Sequence, residues 1–210
     1  MGSALRDMLP YAIGLLVSPL PIVAVLVLRA GREGTRKGLI FSITWWLVSV
    51  VAVLALALLA GSASRPSTGA PAWESAIKII MGLVLLLWAA GRYIELRRGP
   101  RPPPAWLGHL DDLPPDRLSS LAAWLLLANP ITVSMLVAAA LALGSHRLSA
   151  LADLLPAALF ALAGSLGLIV TRFLPPDTKR WLLRHDDTLT FVTALVFGSA
   201  FLINGLRGLQ

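Results

Sequence analysis

Six stretches of about 20 mostly apolar residues constrain the fold of this chain more than any other feature. The hydrocarbon core of a bilayer is about 30 Å thick, and a helix of about 20 apolar residues crosses it. Hydrophobic residues make up 57% of the 210 residues and charged residues only 14%, a composition typical of membrane proteins. We therefore predict one all-α integral membrane domain over residues 1–210. Its six transmembrane helices are expected at about 8–28, 39–61, 76–97, 118–143, 150–172 and 188–206.

The basic residues are distributed unevenly between the two sides of this predicted bundle. The loops after the first, third and fifth helices, together with the helix ends beside them, hold 13 of the 18 Lys and Arg residues, and the opposite side holds the remaining 5. Loops rich in Lys and Arg stay in the cytoplasm. The chain is therefore predicted to lie in the plasma (inner) membrane with both termini outside. The net charge of +7 is interpreted as an orientation signal, and nucleic acid is not expected as a partner.

Prolines interrupt two of the apolar stretches at matching places. The first stretch contains "LLVSPLPIV" and the fourth contains "LLANPITVS", so Ser18-Pro19 aligns with Asn129-Pro130 at an offset of 111 residues. The same offset places the second and third helices on the fifth and sixth. Since three is an odd number of spans, the second copy enters the membrane from the other side, which predicts a 3+3 inverted repeat. The repeats cover about 1–97 and about 118–210, joined by a cytoplasmic loop at 98–117.

The two helix breaks predict a substrate-binding site. A proline removes a backbone N–H and leaves the carbonyl one turn earlier without its partner, which hydrocarbon cannot replace. Ser18 and Asn129 are expected to hydrogen-bond groups freed in this way. In transporters built from inverted repeats, paired interruptions near the midplane line the substrate site. We assign substrate binding to Ser18, Pro19, Pro21, Asn129, Pro130 and Thr132. The alternative is that both breaks are kinks that only shape helix packing.

Side chains suited to catalysis or metal binding are scarce. Ionisable residues lie near the ends of the predicted helices rather than at their centres, and no arrangement typical of nucleophilic catalysis is present. Neither an enzyme nor a cofactor is expected. One metal site can be imagined between two loops, but its spacing matches no known ligand signature, and solvated loop charges are the better interpretation. Its residues are His109, Asp111, Asp112, His185 and Asp187.

The tryptophans and the regularly spaced small residues are interpreted as structural rather than functional. Four tryptophans in the cytoplasmic halves of their helices are predicted to be interfacial anchors, with the wall of a lipid-sized groove as the alternative. They are Trp45, Trp46, Trp88 and Trp124. Small residues at every fourth position in the fourth and fifth helices are predicted to pack within the bundle. They are Ser134, Ala138, Ala142, Ala157, Ala161 and Ser165.

The stretch "LLVSPLPIVAVLVLRAGREGTRKGLIFSITWWLVSVV" (15–51) resembles the opening of the GAP family, the peptidoglycolipid or sulfolipid addressing proteins. The resemblance continues through the basic, Pro-rich loop to Asn129-Pro130. It implies a six-helix exporter of the LysE superfamily that exports or addresses lipids and glycolipids to the surface, with Ser18-Pro19-Leu20-Pro21 and Asn129-Pro130 as shared positions. Relatives often continue Asn-Pro-Lys-Asn, whereas Ile131 and Thr132 follow here, so a cationic substrate contact is missing at that point.

These observations favour a transporter of a lipid-like or amphipathic substrate that works by alternating access at the first and fourth helices. An exporter of amino acids or other small solutes is the first alternative, although it should show a charged midplane residue. A non-transporting scaffold of a lipid synthesis or export complex is the second. The expected partners are membrane lipids and a lipid-like or small-molecule substrate. A homo-oligomer and a lipid-export complex both stay open.

Overall fold

The computed structural model of the protein describes residues 2–31, 33–63, 72–98, 110–146 and 150–209. Every regular element in these ranges is helical, and a short 3₁₀ turn at Leu110–Asp112 precedes the second half. The helices are α1 (Gly2–Leu16), α2 (Pro19–Ala30), α3 (Gly34–Ala63), α4 (Ala72–Arg97), α5 (Pro115–Ala128), α6 (Pro130–Ser145), α7 (Ala150–Val170), α8 (Pro176–Arg184) and α9 (Asp186–Arg207).

The predicted first and fourth spans are each two helices rather than one. The α1–α2 pair bends by 53° and the α5–α6 pair by 75°. The single helices α3, α4, α7 and α9 are each long and apolar enough to cross a membrane, and counting each bent pair as one span gives six. The prediction of an all-helical membrane protein is thus confirmed for the described residues.

The centre of the bundle is formed by α1, α3, α6 and α7. Helix α1 packs against α6 and α7, and α3 packs against α5, α6 and α7. Helix α6 is apolar on nearly every side, and most of its residues are buried, as expected for a helix surrounded by others. The small residues singled out in the sequence contribute to this packing, since Ser134, Ala138, Ala157, Ala161 and Ser165 are buried.

Helices α4 and α9 form a tight antiparallel pair beside this centre. A Cβ atom on Gly82 would lie 2.7 Å from the backbone nitrogen of Leu202 and 2.9 Å from the carbonyl oxygen of Gly198, so the two backbones nearly touch. Such close approach through small residues is a common way for helices to associate in lipid. The ring of Phe201 on α9 stacks on Tyr11 of α1 with centroids 5.8 Å apart, which joins the pair to the bundle.

The tryptophans do not share one environment. Trp45 is fully buried and stacks on Phe41, with ring centroids 6.0 Å apart. Trp46 donates from Nε1 to the carbonyl oxygen of Ala158 on α7 at 3.1 Å. The prediction of interfacial anchoring is therefore wrong for Trp45, and Trp46 links α3 to α7 inside the bundle. Helix α3 is apolar on all sides, so its sequence does not indicate which face is buried.

Candidate functional site

The prolines at both breaks start helices rather than interrupt them. Pro19 is the first residue of α2 and Pro130 is the first residue of α6. A proline is favoured at the first helical position because an N–H there would have no partner in the helix, and its fixed φ suits the helix. Pro21, two residues further on, also falls in the first turn of α2. Each apolar stretch is consequently divided into one helix that ends at the break and one that begins there.

The two breaks meet inside the bundle. The amide Nδ2 of Asn129 lies 3.5 Å from the hydroxyl oxygen of Ser18, at the long limit of a hydrogen bond. Ser18 is fully buried and Asn129 is partly buried. The ends of α1 and α5 and the starts of α2 and α6 are thus brought to one place, which we call the junction.

The second break is closed by its own side chains. Pro130 has no N–H for the carbonyl of Leu126, and the hydroxyl of Thr132 donates to this oxygen at 2.5 Å. The side-chain oxygen of Asn129 accepts from the backbone N–H of Ile131 at 3.0 Å, as in a standard N-cap. The carbonyl freed by the proline and one free N–H of the new helix are therefore both satisfied locally.

The first break has no comparable side-chain bonds. Ser18 occupies the N-cap position of α2, but its side chain makes no capping hydrogen bond. The backbone N–H of Ser18 donates to the carbonyl of Leu15 at 3.4 Å, a tightened last turn of α1. This bond takes the carbonyl that Pro19 would otherwise have bonded.

Helix α7 supports the first break from the side. A Cβ atom on Gly167 would lie 2.5 Å from the carbonyl oxygen of Leu16, the last residue of α1. One turn earlier, a Cβ on Gly164 would lie 2.5 Å from Cδ2 of Leu15. The backbone contact at Gly167 leaves no room for a side chain there, so this glycine seats the end of α1 against α7, and Gly164 makes room for the Leu15 side chain.

A small apolar pocket reaches the first break. Its volume is about 100 Å³, well below the ~300 Å³ at which typical small-molecule sites begin. The pocket lies between the start of α2 and the helices α8 and α9. It is lined by Val17, Pro19, Ile22, Val23, Leu182 and Leu189. A pocket of this size and lining accommodates part of a hydrocarbon chain rather than a whole lipid.

The residues considered for a metal lie apart from the junction. His109 is outside the described residues, and Asp111 and Asp112 belong to the 3₁₀ turn. Asp187 at the start of α9 lies 3.2 Å from the Arg92 guanidinium. Within the described ranges, the structure brings together no group of three or more His, Asp or Glu side chains that could hold a metal ion.

Sequence reasoning placed Ser18, Pro19, Pro21, Asn129 and Pro130 at the breaks, and the structure brings Ser18 and Asn129 together. Sequence reasoning missed the residues that support the two breaks. Thr132 was assigned to the substrate, and the structure adds that its hydroxyl oxygen lies 2.5 Å from the carbonyl oxygen of Leu126 and 3.0 Å from that of Asn129. The spacing from Pro130 back to Leu126 signals this need for a donor. The role of Gly167 depends on a helix distant in the sequence, and no local signal indicates it.

These features define a class: a polytopic membrane protein whose bundle is organised around two broken helices that touch. The family model described as Sap, sulfolipid-1-addressing protein, matches residues 8–207. The chain therefore belongs to the sulfolipid-1-addressing protein family, which confirms the resemblance to the GAP family noted in the sequence. No curated protein and no solved structure matches the chain.

Proposed function

We propose that this protein moves a lipid-like amphiphile from the cytoplasmic leaflet of the plasma membrane outward, by alternating access at the junction. The observation that carries the proposal is the contact between Ser18 and Asn129, which joins two broken helices inside the bundle. Breaks in spanning helices are tolerated where other protein groups satisfy the backbone, and paired breaks are typical of transporter sites. The family described as sulfolipid-1-addressing proteins supports a lipid as the cargo.

The proposal includes an inverted repeat that relates the two halves. Ser18 and Asn129 hold equivalent positions, 111 residues apart, and residues that meet their own counterparts are expected on a twofold axis. The packing of α1 on α7 has its counterpart in the packing of α5 on α3. An axis in the membrane plane would allow the junction to face either side by exchanging the conformations of the two halves.

In the described conformation the junction is closed. Ser18 and Thr132 are fully buried, so a substrate reaches them only after the helices separate. The contact from Asn129 to Ser18 is long, so breaking it costs little. Interhelical hydrogen bonds in membranes average about 0.6 kcal/mol. The apolar pocket beside Pro19 provides the approach from the side that the basic loops assign to the cytoplasm.

The site residues then have distinct roles. Ser18 and Asn129 present their polar groups to the substrate head group when the junction opens. Pro19, Pro21 and Pro130 fix where α2 and α6 begin. Thr132 keeps the Leu126 carbonyl satisfied while the helices around it move. We propose no enzymatic step and no cofactor. We propose that both termini lie outside, as the distribution of basic residues predicts.

The test compares cells with and without the gene. Each lipid class is measured in the whole cell and in the fraction exposed at the surface, and small metabolites are measured in parallel. We expect deletion to remove one amphiphilic lipid class from the surface while the same class accumulates inside, because synthesis continues and export stops. Complementation with the intact gene should restore the surface fraction.

Two other outcomes would overturn this function. If total synthesis of the lipid falls and none accumulates inside, the protein is a scaffold for a synthesis complex. If lipid distribution is unchanged and an amino acid or another small solute accumulates, the protein exports small solutes. For both outcomes, deletion cells complemented with the wild-type gene are the control.

A further inference from the structure

Helix α8 is a short helix between α7 and α9, two helices long and apolar enough to span a membrane. Five residues connect Val170 at the end of α7 to α8, and His185 alone connects α8 to α9. Five extended residues reach at most about 18 Å, and a single residue allows almost no separation. Helix α8 is therefore held at the membrane surface by both of its neighbours, on the side that carries most of the basic residues.

The apolar and charged residues of α8 lie on opposite sides of the helix. With 3.6 residues per turn, Leu182 falls at the centre of the apolar side, between Trp181 and Leu183. The opposite side carries the charged residues Asp177, Arg180 and Arg184. Asp177 and Arg180 pair with each other, and their side chains are 88% and 69% exposed. A charged side this open indicates which side of α8 faces water.

The apolar side of α8 contacts the first break at its centre and is uncovered at its edges. Leu182 is half-buried and lines the apolar pocket together with Pro19. Trp181 and Leu183, on either side of it, are 50% and 41% exposed, and Phe173 in the turn before α8 is exposed too. Large apolar side chains grouped in this way are unfavourable in water. They match the boundary between lipid head groups and acyl chains.

The Trp181 ring is held in one direction by the residue that joins α8 to α9. The ring stacks on the imidazole of His185 with centroids 4.8 Å apart. Nδ1 of His185 lies 2.9 Å from the carbonyl oxygen of Trp181. Tryptophan is enriched at membrane interfaces, because its ring is apolar and its N–H is polar. The stacked ring is thus suited to anchor α8 in the interface.

Positive charge borders the apolar side of α8. The helix holds three basic residues and one acidic residue, Asp177, which pairs with Arg180. Among the described side chains, Lys179 and Arg184 have no carboxylate partner. Cationic groups beside an apolar helix side attract anionic lipid head groups. Lys179 and Arg184 are therefore free to contact such head groups.

We propose that α8 lies in the plane of the membrane and docks on the cytoplasmic leaflet. Trp181 and Leu183 enter the boundary of the acyl chains, and Lys179 and Arg184 contact anionic head groups. The lipid here is the bilayer itself and not a cargo, so the inference goes beyond the proposed function and holds whether or not the protein moves a lipid. Because Leu182 lines the pocket, this docking connects the surface of the leaflet with the first break.

The test measures how deeply each side of α8 enters the membrane. The sequence contains no cysteine, so a single added cysteine carries a nitroxide spin label without background. The full-length protein is placed in nanodiscs of phosphatidylcholine, with or without phosphatidylglycerol at about one third of the lipid. The readout is the collision rate of the label with oxygen divided by its collision rate with a water-soluble nickel chelate. We expect a ratio about fivefold higher for Leu183→Cys than for Asp177→Cys, because oxygen concentrates in lipid and the chelate in water.

The contact with anionic lipid is tested by charge variants. Phosphatidylglycerol should raise the ratio at Leu183→Cys about twofold further, because the anionic surface draws α8 deeper. Adding Lys179→Gln and Arg184→Gln should remove this increase. The matched control is Arg207→Gln, which removes an exposed arginine at the other end of α9 and should keep the increase. Val84→Cys, on an exposed side of α4, verifies insertion, since its ratio should stay high in both nanodiscs and in every charge variant.

Equal ratios at Leu183→Cys and Asp177→Cys would overturn the in-plane docking. Low collision rates with both reagents at Leu183→Cys would mean that protein covers this side, either a second copy of the chain or a partner, and the lipid assignment would be wrong. The anionic contact is also wrong if phosphatidylglycerol has no effect, or if Arg207→Gln loses the increase as well. Glycerol phosphate added to phosphatidylcholine nanodiscs tests the free anion, and an equal increase there would contradict docking on the bilayer.

Discussion

The break before Pro130 is closed by its own side chains, whereas the break before Pro19 depends on a neighbouring helix. At the second break, Thr132 bonds the freed carbonyl of Leu126 and Asn129 caps α6. At the first break, Ser18 makes no capping bond. The end of α1 instead rests against Gly167 of α7.

If the protein transports as proposed, this difference predicts which break changes shape. Bonds between neighbours in the sequence persist when helices move relative to one another, so the second break should keep its geometry. Contacts with α7 are lost as soon as α1 and α7 separate. We therefore expect the first break to be the adaptable one and the second to be the fixed reference.

The largest expected effect on stability comes from Gly167→Ala. The added methyl meets the carbonyl of Leu16, and overpacking of this kind costs about 1–3 kcal/mol, more than the gain in helix propensity of roughly 1 kcal/mol. We expect the free energy of unfolding in detergent to fall by about 1.5 kcal/mol. Gly91→Ala is the matched control, because nothing lies within 4 Å of a Cβ there. Equal stability of the two variants would show that α7 does not support the first break.

Thr132→Val should have an intermediate effect. Valine fills the same space but leaves the buried carbonyl of Leu126 without a donor, which we expect to lower the free energy of unfolding by about 1 kcal/mol. Ser165→Ala is the control, because the Ser165 hydroxyl bonds the carbonyl of Ala161 within a regular helix. If both variants lose the same stability, the hydroxyl of Thr132 has no special role at the break.

Ser18→Ala should have the smallest effect on stability, below about 0.5 kcal/mol, because the hydroxyl makes only the long contact with Asn129. The free energy of unfolding in the same detergent measures this effect. A loss as large as that of Thr132→Val would mean that Ser18 supports the first break directly, and the contrast between the two breaks would disappear.

The positions of both breaks could be predicted from the sequence. The residues that support the breaks from other helices could not, for physical reasons. Proline restricts the backbone wherever it occurs, so Pro19 and Pro130 located both breaks, and their spacing predicted that Ser18 and Asn129 correspond. The burial of Trp45 was not predictable, because α3 is apolar all round. The role of Gly167 depends on the backbone of α1 approaching it, and that is decided only by tertiary packing.

The central claim is that the junction opens for a substrate, and one double variant tests it most directly. Ser18→Ala with Asn129→Ser removes the contact between the breaks but keeps a residue that caps α6 well. In deletion cells complemented with this variant, we expect surface lipid to stay at the level of the deletion. The protein should be expressed normally and unfold within about 1 kcal/mol of the wild type. Wild-type surface lipid at normal expression would contradict the account, and the two breaks would then be architecture alone.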